Sequence, residues 1–555
     1  MLKGFVPWPD AFVQRYRRQG YWEDRPLGQA VMDAVARYQD REALVFKGER
    51  LSYAEMGARI DRLGRYLLDL GLKPLDCVVL QLPNWPEFIY LYYALARVGA
   101  ISLMALLPHR QYEVRHFLEF SEAVGYAVPT TFGRFDYGGM AAEMRQAVPT
   151  LHHLLAAGRP CPRGFISLDD PPGPRHTQAD LEARSASLDP LDPVVFQLSG
   201  GTTGLPKVIP RTHNDYVYNA KGFARIHRMN EETVLLVVLP VAHNFALASP
   251  GIQGCFFHGG RIVLSDSPRA DVAFPLIERE RVTHLELVPA LLIQWLHDPS
   301  LASFDVSSVR VINTGGQKLQ PEVKRRAEKT FPNAMVQEVF GMAEGLLCSP
   351  RLDDPEEVRI ETVGRGMSPD DEVRLVDDDG RDVPMGEIGE LICRGPYTLR
   401  GYYKSPEYNA QAFTPDGYYK TGDLMRMHPS GNLIVEGRKK DLINRGGEKI
   451  SAEEVENFIL SHPGVRNVAC IAIPDPILGE RMCACVTLQP GRSLTFEELS
   501  GFLLKRGIAK FKLPERLEVF EDLPLVPGFN KVSKRALRKI MHERLQPEQG
   551  PRPGG

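Results

Sequence analysis

The chain has 555 residues, of which 43% are hydrophobic and 25% charged, and its formal net charge is −3. That length exceeds one ordinary domain and suggests about two to four. The small net charge excludes a partner held by a broad basic field, so neither nucleic acid nor an anionic membrane surface is expected. The amino terminus lacks an apolar signal-peptide core, and no run of about 18 apolar residues occurs, so a cytoplasmic protein is expected. Eight cysteines are scattered along the chain, with one close pair, Cys483 and Cys485. Strand alternation puts that pair on one face, as reduced core thiols rather than a metal site, which needs more ligands.

In chain order, the pattern predicts a helix over 27–38, a strand over 43–46, and a second helix from Ser52 to about Leu70. Ser52 with Glu55 three residues on forms a capping box for that second helix. A β-branched strand over 76–82, a helix over 85–98 and a strand over 101–106 follow; strands alternating with helices imply a parallel sheet with right-handed crossovers. Residues 129–190 are rich in Pro, Gly and Arg and poor in periodicity, and read as a surface connection. Further strands are expected over 234–239, 261–264, 284–288 and 309–313. From about Arg359 the pattern changes to short strands and tight turns, a small β-rich subdomain. Beyond it come a helix over 453–461, strands over 465–473 and 482–488, a helix over 495–506 and a basic carboxyl-terminal helix over 533–545. The fold class expected is α/β: a large multi-subdomain amino-terminal domain (1–439) with parallel sheets and a β-rich subdomain, and a small mobile α+β domain (440–545). Residues 546–555 read as a disordered tail.

The stretch S-G-G-T-T-G-L-P-K, Ser199 to Lys207, leaves a buried strand (194–196) and suits a phosphate. Glycines let backbone N–H groups close round an anion, hydroxyls add donors, and Lys207 adds charge. Alone, such a cluster also fits an ordinary surface loop. A P-loop is disfavoured, because Leu205 and Pro206 separate Gly204 from Lys207 and Val208 follows it. Later motifs are P-V-A-H-N-F-A-L-A-S-P-G (240–251), T-G-G-Q-K (314–318), V-Q-E-V-F-G-M-A-E-G (336–345), T-G-D (421–423), G-R-K-K-D (437–441) and P-G-F-N-K-V-S-K (527–534). His243 and Asn244 would lie beyond the carboxyl end of a strand, where open α/β sheets bind ligands. Taken alone they also fit a satisfied structural pair. Likewise Asp423 fits a turn aspartate, Arg438 a solvated surface charge, and Ser249 a cap of the following helix.

Together, in this order and spacing, the motifs resemble the adenylate-forming superfamily of acyl-CoA synthetases, luciferases and peptide-synthetase adenylation domains. The likeness covers nearly the whole chain. The resemblance implies that ATP is bound by Ser199, Gly200, Gly201, Thr202, Thr203, Gly204 and Lys207 at the phosphates, with Gly315, Gly316 and Phe340 forming the adenine slot and Val339, Gly341, Met342, Val435 and Lys531 also at the nucleotide. It places Asp423 and Arg438 at the ribose, and Glu344 on Mg²⁺. Two carboxylate oxygens suit a vicinal diol, and a hard cation suits a carboxylate. Lys531 matches the catalytic lysine, with His243 and Glu344 also assigned to catalysis, and Lys440 matches the hinge. One departure is Asn530, where the family has glycine before the lysine; asparagine is the non-glycine residue that best tolerates a left-handed conformation.

Within the superfamily, H-N-F-A-L-A-S-P-G and V-F-G-M-A-E-G look most like stand-alone aryl-acid ligases of siderophore assembly. Those enzymes adenylate 2,3-dihydroxybenzoate or salicylate and load it on the phosphopantetheine of an aryl carrier protein. The resemblance puts Asn244, Phe245, Ser249, Gly315 and Val339 around the acid, Phe245 standing where many members have tyrosine. Ser249 and Val339 point to dihydroxybenzoate, since salicylate enzymes tend to carry Cys and Leu there. A salicylate ligase, an aryl-CoA ligase and a silent nucleotide-binding homologue are the alternatives.

Overall fold

The computed structural model describes residues 2–199, 206–445, 448–475, 478–526 and 532–545. The chain forms two compact units, one holding most of residues up to 373 together with 393–419, the other holding 374–392 and the chain from 420 onward.

Two large sheets build the first unit. One has nine strands, with the parallel run Met335–Met342, Val311–Gly315, His284–Leu287, Val234–Val237, Arg261–Leu264 and Glu42–Phe46 flanked by antiparallel edges. The other has seven, with Pro193–Leu198 parallel to Ile101–Met104 and antiparallel to Val208–Thr212 at the edge. Central strands such as Cys77–Leu80 and Ile101–Met104 are buried along their whole length, which is why they read as mainly apolar runs, Ser102 apart, rather than alternating ones. The predicted parallel arrangement is present, divided between two sheets.

Local signals placed the helices well. The helix Leu27–Tyr38 has the expected bounds, and Ser52 caps Tyr53–Asp69 through the capping box with Glu55. One expectation is corrected. Residues 129–190 are not a bare surface connection: they contain the helix Tyr137–Ala147, the strand His153–Ala157, inserted beside Gly125–Pro129, and the helix Gln178–Ala186. The strand is short and alanine-rich, so it carried little β signal. The last helix is opened by Thr177 and Asp180, a capping box built with aspartate in place of the usual glutamate or glutamine.

In the second unit, the strand 420–427 pairs antiparallel with Leu433–Arg438. Beyond it a five-stranded sheet is covered on both faces. Met482, Ala484 and Val486 pack with Val455, Ile459, Leu499 and Leu503 of two helices. The alternate residues Cys483 and Cys485 pack with Leu537, Met541 and Leu545 of the helix Lys534–Leu545. The period of two thus sorts the strand onto two cores and explains the cysteine pair, whose sulfurs lie 3.9 Å apart as free, buried thiols. Among the described residues no helix is long and apolar enough to cross a membrane.

Candidate active site

Residues 199–207 join two antiparallel strands, with Leu198 opposite Val208. The neck is closed twice: Ser199 N donates to the Lys207 carbonyl at 2.9 Å, and Lys207 N donates to Ser199 Oγ at 2.9 Å. The serine hydroxyl therefore begins as a structural acceptor. Gly200, Gly201, Thr202, Thr203 and Gly204 lie outside the described residues. The Lys207 ammonium stands 3.9 Å from the centroid of the Tyr408 ring and 5.7 Å from that of Tyr402, a placement that shields its stem and holds its charge in one place.

Tyr402 links this lysine to Glu344. Its hydroxyl donates to Glu344 Oε1 at 2.7 Å and lies 2.8 Å from the Tyr419 hydroxyl. Burial, and then the neighbouring Glu344 charge, push the Tyr402 phenol far up, so the proton stays on the tyrosine and the carboxylate accepts. Glu344 sits where the strand Met335–Met342 turns back into Gly345–Ser349. Gly345 must be glycine: its φ is 117°, and a Cβ there would lie 2.4 Å from the Tyr397 carbonyl oxygen.

The acid side is a buried chain of hydrogen bonds. Gln197 Nε2 donates to Tyr216 Oη at 3.1 Å, Tyr216 Oη donates to Asn244 Oδ1 at 2.8 Å, and Asn244 Nδ2 donates to Ser249 Oγ at 3.1 Å. Asn244, Phe245, Ser249 and Val339 are all buried. The turn carrying Ser249 is fastened by three further buried side chains. Asn219 Nδ2 donates to the Ala248 carbonyl at 2.5 Å, Asn313 Nδ2 reaches the Ser249 carbonyl at 3.5 Å, and Glu286 Oε1 accepts from Gly251 N at 2.9 Å. Burial raises the Glu286 carboxyl to about 8. Ser249 does not cap the helix Gly251–Phe257, whose N-cap is Pro250 with no side-chain bond. Its hydroxyl is committed to Asn244 instead. His243 accepts from Phe245 N at 3.2 Å and so caps the turn Asn244–Ala248. Burial lowers its pKa to about 4, so it is neutral at physiological pH and acts as an acceptor rather than a cation.

Gly315 and Val339 are register partners on adjacent strands. A Cβ on residue 315 would come within 2.7 Å of Val339 Cγ2, so glycine is what lets the two strand ends close together. Phe340 and Met342 are half-buried and Gly341 is exposed on the same strand end, while Gly316 has φ 89° just past Gly315. The structure therefore brings Lys207 and Glu344 together round Tyr402, Asn244 and Ser249 together by a direct bond, and Gly315 beside Val339.

In the second unit, Asp423 and Arg438 are cross-strand partners, and Arg438 Nε lies 2.8 Å from Asp423 Oδ1. Asp423 is buried, with its N–H donating to Thr421 Oγ1 at 3.0 Å. Val435 lies on the same strand as Arg438. Lys440 falls in the 3₁₀ turn Lys439–Asp441, between the strands Leu433–Arg438 and Leu442–Arg445. Lys531 and Asn530 lie outside the described residues. Among those described, no cluster of three or more His, Cys, Asp or Glu forms a ready-made metal cage.

Sequence reasoning missed Gln197, Tyr216, Asn219, Glu286, Asn313 and Tyr402. Only Gln197, a polar residue in a buried run, gave a signal.

Residues 31–403 match the AMP-binding enzyme family, and residues 454–528 match the AMP-binding enzyme C-terminal domain. The chain is 45% identical to the 2,3-dihydroxybenzoate-AMP ligase of Bacillus subtilis, over 98% of this chain and 99% of that protein. It is 46% identical to a salicylyl-CoA synthase / salicylate adenylyltransferase of a Streptomyces species, over 97% and 98%. Among solved structures it resembles apo MbtA of Mycobacterium smegmatis, with a TM-score of 0.72 and 38% identity over 97% of this chain and 98% of that one. A match over most of the chain, in a fold that sets the expected motif residues at its strand ends, is decisive: the chain belongs to the AMP-binding enzyme family.

Proposed function

We propose that this protein activates 2,3-dihydroxybenzoate with ATP and passes the acyl group to the phosphopantetheine thiol of an aryl carrier protein in siderophore biosynthesis. In the first step a carboxylate oxygen of the acid attacks the α-phosphorus. The bond to the β-phosphate bridge breaks, and pyrophosphate leaves with its electron pair. In the second, the thiol attacks the acyl carbon, a proton is lost, and AMP departs. Lys207 and the neck of residues 199–207 would hold the phosphates, and Asp423 with Arg438 the ribose. Glu344 fits Mg²⁺, because a single carboxylate suits a small cation that keeps waters and phosphates as its other ligands. When bound, that ion supplies neutralisation of charge on the phosphates. Lys531 would bridge the two anions as they meet.

The observation that carries the choice of acid is the Asn244–Ser249 bond of 3.1 Å. An amide NH₂ has two hydrogens. One goes to Ser249, leaving the other for the acid's carboxylate or 2-hydroxyl. Ser249 Oγ accepts that bond, so its own hydrogen is available to a 3-hydroxyl, with Val339 leaving room for it. Relatives named for dihydroxybenzoate and for salicylate stand at nearly equal identity, so the pocket, not the overall score, must decide. Salicylate should lose roughly ten- to a hundredfold in kcat/KM, because it leaves a buried hydroxyl unpaired at about 1–3 kcal/mol. Specificity constants for both acids, on wild type and on Ser249→Cys with Val339→Leu, test this. A wild-type preference for salicylate, or a ratio unmoved by the double substitution, defeats it. Running the same assay with coenzyme A in place of carrier protein settles the acceptor.

The small domain from 440 onward is proposed to swing about Lys440 between the two half-reactions. Proline fixes φ near −65°, so Lys440→Pro should depress one half-reaction far more than the other. Equal losses in pyrophosphate exchange and in thioester formation would remove the hinge.

A further inference from the structure

Arg211 lies next to the end of the strand Val208–Thr212, four residues past Lys207, and is wholly buried. A buried guanidinium is tolerable only when its donors are paired. Here they are paired in several directions. Nε donates to Asp215 Oδ1 at 2.8 Å, Nη1 to the Ala343 carbonyl at 2.9 Å, and Nη2 to the Tyr397 carbonyl at 3.2 Å and Asn219 Oδ1 at 3.4 Å. Its carbon also stands 4.8 Å from the centre of the Tyr216 ring.

These partners lead to two places. Asn219 holds the Ala248 carbonyl and Tyr216 holds Asn244, so both run to the acid pocket. Ala343 precedes Glu344, whose carbonyl accepts from Leu399 N at 2.7 Å, two residues beyond Tyr397. Asp215 balances the charge, and is itself fixed by the Thr212 N–H at 2.8 Å. What Arg211 contributes is therefore geometry: a planar fork with its donors aimed at fixed carbonyls. We propose that Arg211 is a positioning residue that holds the Glu344 turn and the Asn244–Ser249 turn in one register, so that the aryl carboxylate and the cation-bearing carboxylate are aligned together. This rests on the function proposed above, with Glu344 serving the cation and Asn244 the acid.

The test uses the full chain, with pyrophosphate–ATP exchange titrated separately in acid and in Mg²⁺. Arg211→Lys keeps the charge and loses the fork. A misplacement of about 1 Å can cost on the order of a hundredfold, so both the KM for the acid and the Mg²⁺ concentration for half-maximal rate should rise by about tenfold or more. Asn219→Ala cuts only the acid-side arm, and should raise the acid KM while leaving the Mg²⁺ dependence in place. Arg211→Lys that moves only one titration, or neither, overturns the proposal, as does Asn219→Ala that moves both or leaves the acid KM unchanged. If Arg211→Lys fails to fold, Asn219→Ala alone decides by the same criterion. Wild type that exchanges pyrophosphate with no aryl acid would instead defeat the functional reading.

Discussion

Replacing Lys531 by alanine is expected to lower pyrophosphate–ATP exchange by about a hundred- to a thousandfold or more while sparing transfer from supplied aryl-adenylate to the carrier. The sign follows from when the charge is needed. A lysine bridging the acid's carboxylate and the α-phosphate offsets their repulsion only while the two anions approach, and removing one such preorganised donor costs about 10²–10³ in rate. Once the mixed anhydride exists, its acyl carbon is neutral and the same ammonium has little left to stabilise. The described chain on either side of Lys531 is pinned: Val532 bridges Leu525, Ser533 N donates to the Pro524 carbonyl at 2.7 Å, and Lys534 lies 2.7 Å from Glu456. Alanine should therefore leave the fold intact, which a melting curve checks. An alanine variant that exchanges pyrophosphate at a rate near wild type would remove Lys531 from the first half-reaction. Asn530→Gly is the natural companion. If the left-handed tolerance of asparagine suffices, restoring glycine should change the exchange rate little.

What could be read in the sequence divides by the range of the interaction. The capping box at Ser52, the Gly-rich strand exits and the period-two sorting of Cys483 and Cys485 are local, and local chemistry is written in neighbouring letters. Asp423 and Arg438 were each legible as ribose candidates, yet their pairing across two strands depends on a register that a bulge shifts between Leu424 and Met425. The supports of the acid pocket were silent. Asn219, Glu286 and Asn313 lie on a helix and two strands, spread over 94 positions of the chain, and nothing in a single sequence says that all three converge on one turn. Tyr402 carried no signal of its own, and only the folded chain shows it between Lys207 and Glu344. The strand His153–Ala157 failed for the opposite reason: its residues lack β-branching, and its place in the sheet is set by the neighbours that bury it.

Glu344→Gln is expected to reduce the adenylation rate by about a hundredfold at saturating ATP and to raise the Mg²⁺ concentration needed for half-maximal rate. The amide has the size of the carboxylate and can still accept the Tyr402 hydroxyl through its carbonyl oxygen, so the 2.7 Å contact survives. What is lost is a full negative charge and an oxygen ligand, and a hard cation holds amide oxygen more weakly than carboxylate. Tyr402→Phe separates the two contributions. It removes the hydrogen bond but keeps the carboxyl group. If Tyr402 only orients Glu344, the phenylalanine variant should lose less activity than the glutamine variant and keep a near-normal Mg²⁺ titration. If Glu344 instead serves the fold, both variants should melt early, and neither should alter the Mg²⁺ requirement of the fraction that remains folded. A glutamine variant that melts like wild type, turns over like wild type and titrates with Mg²⁺ like wild type would take Glu344 out of the metal site.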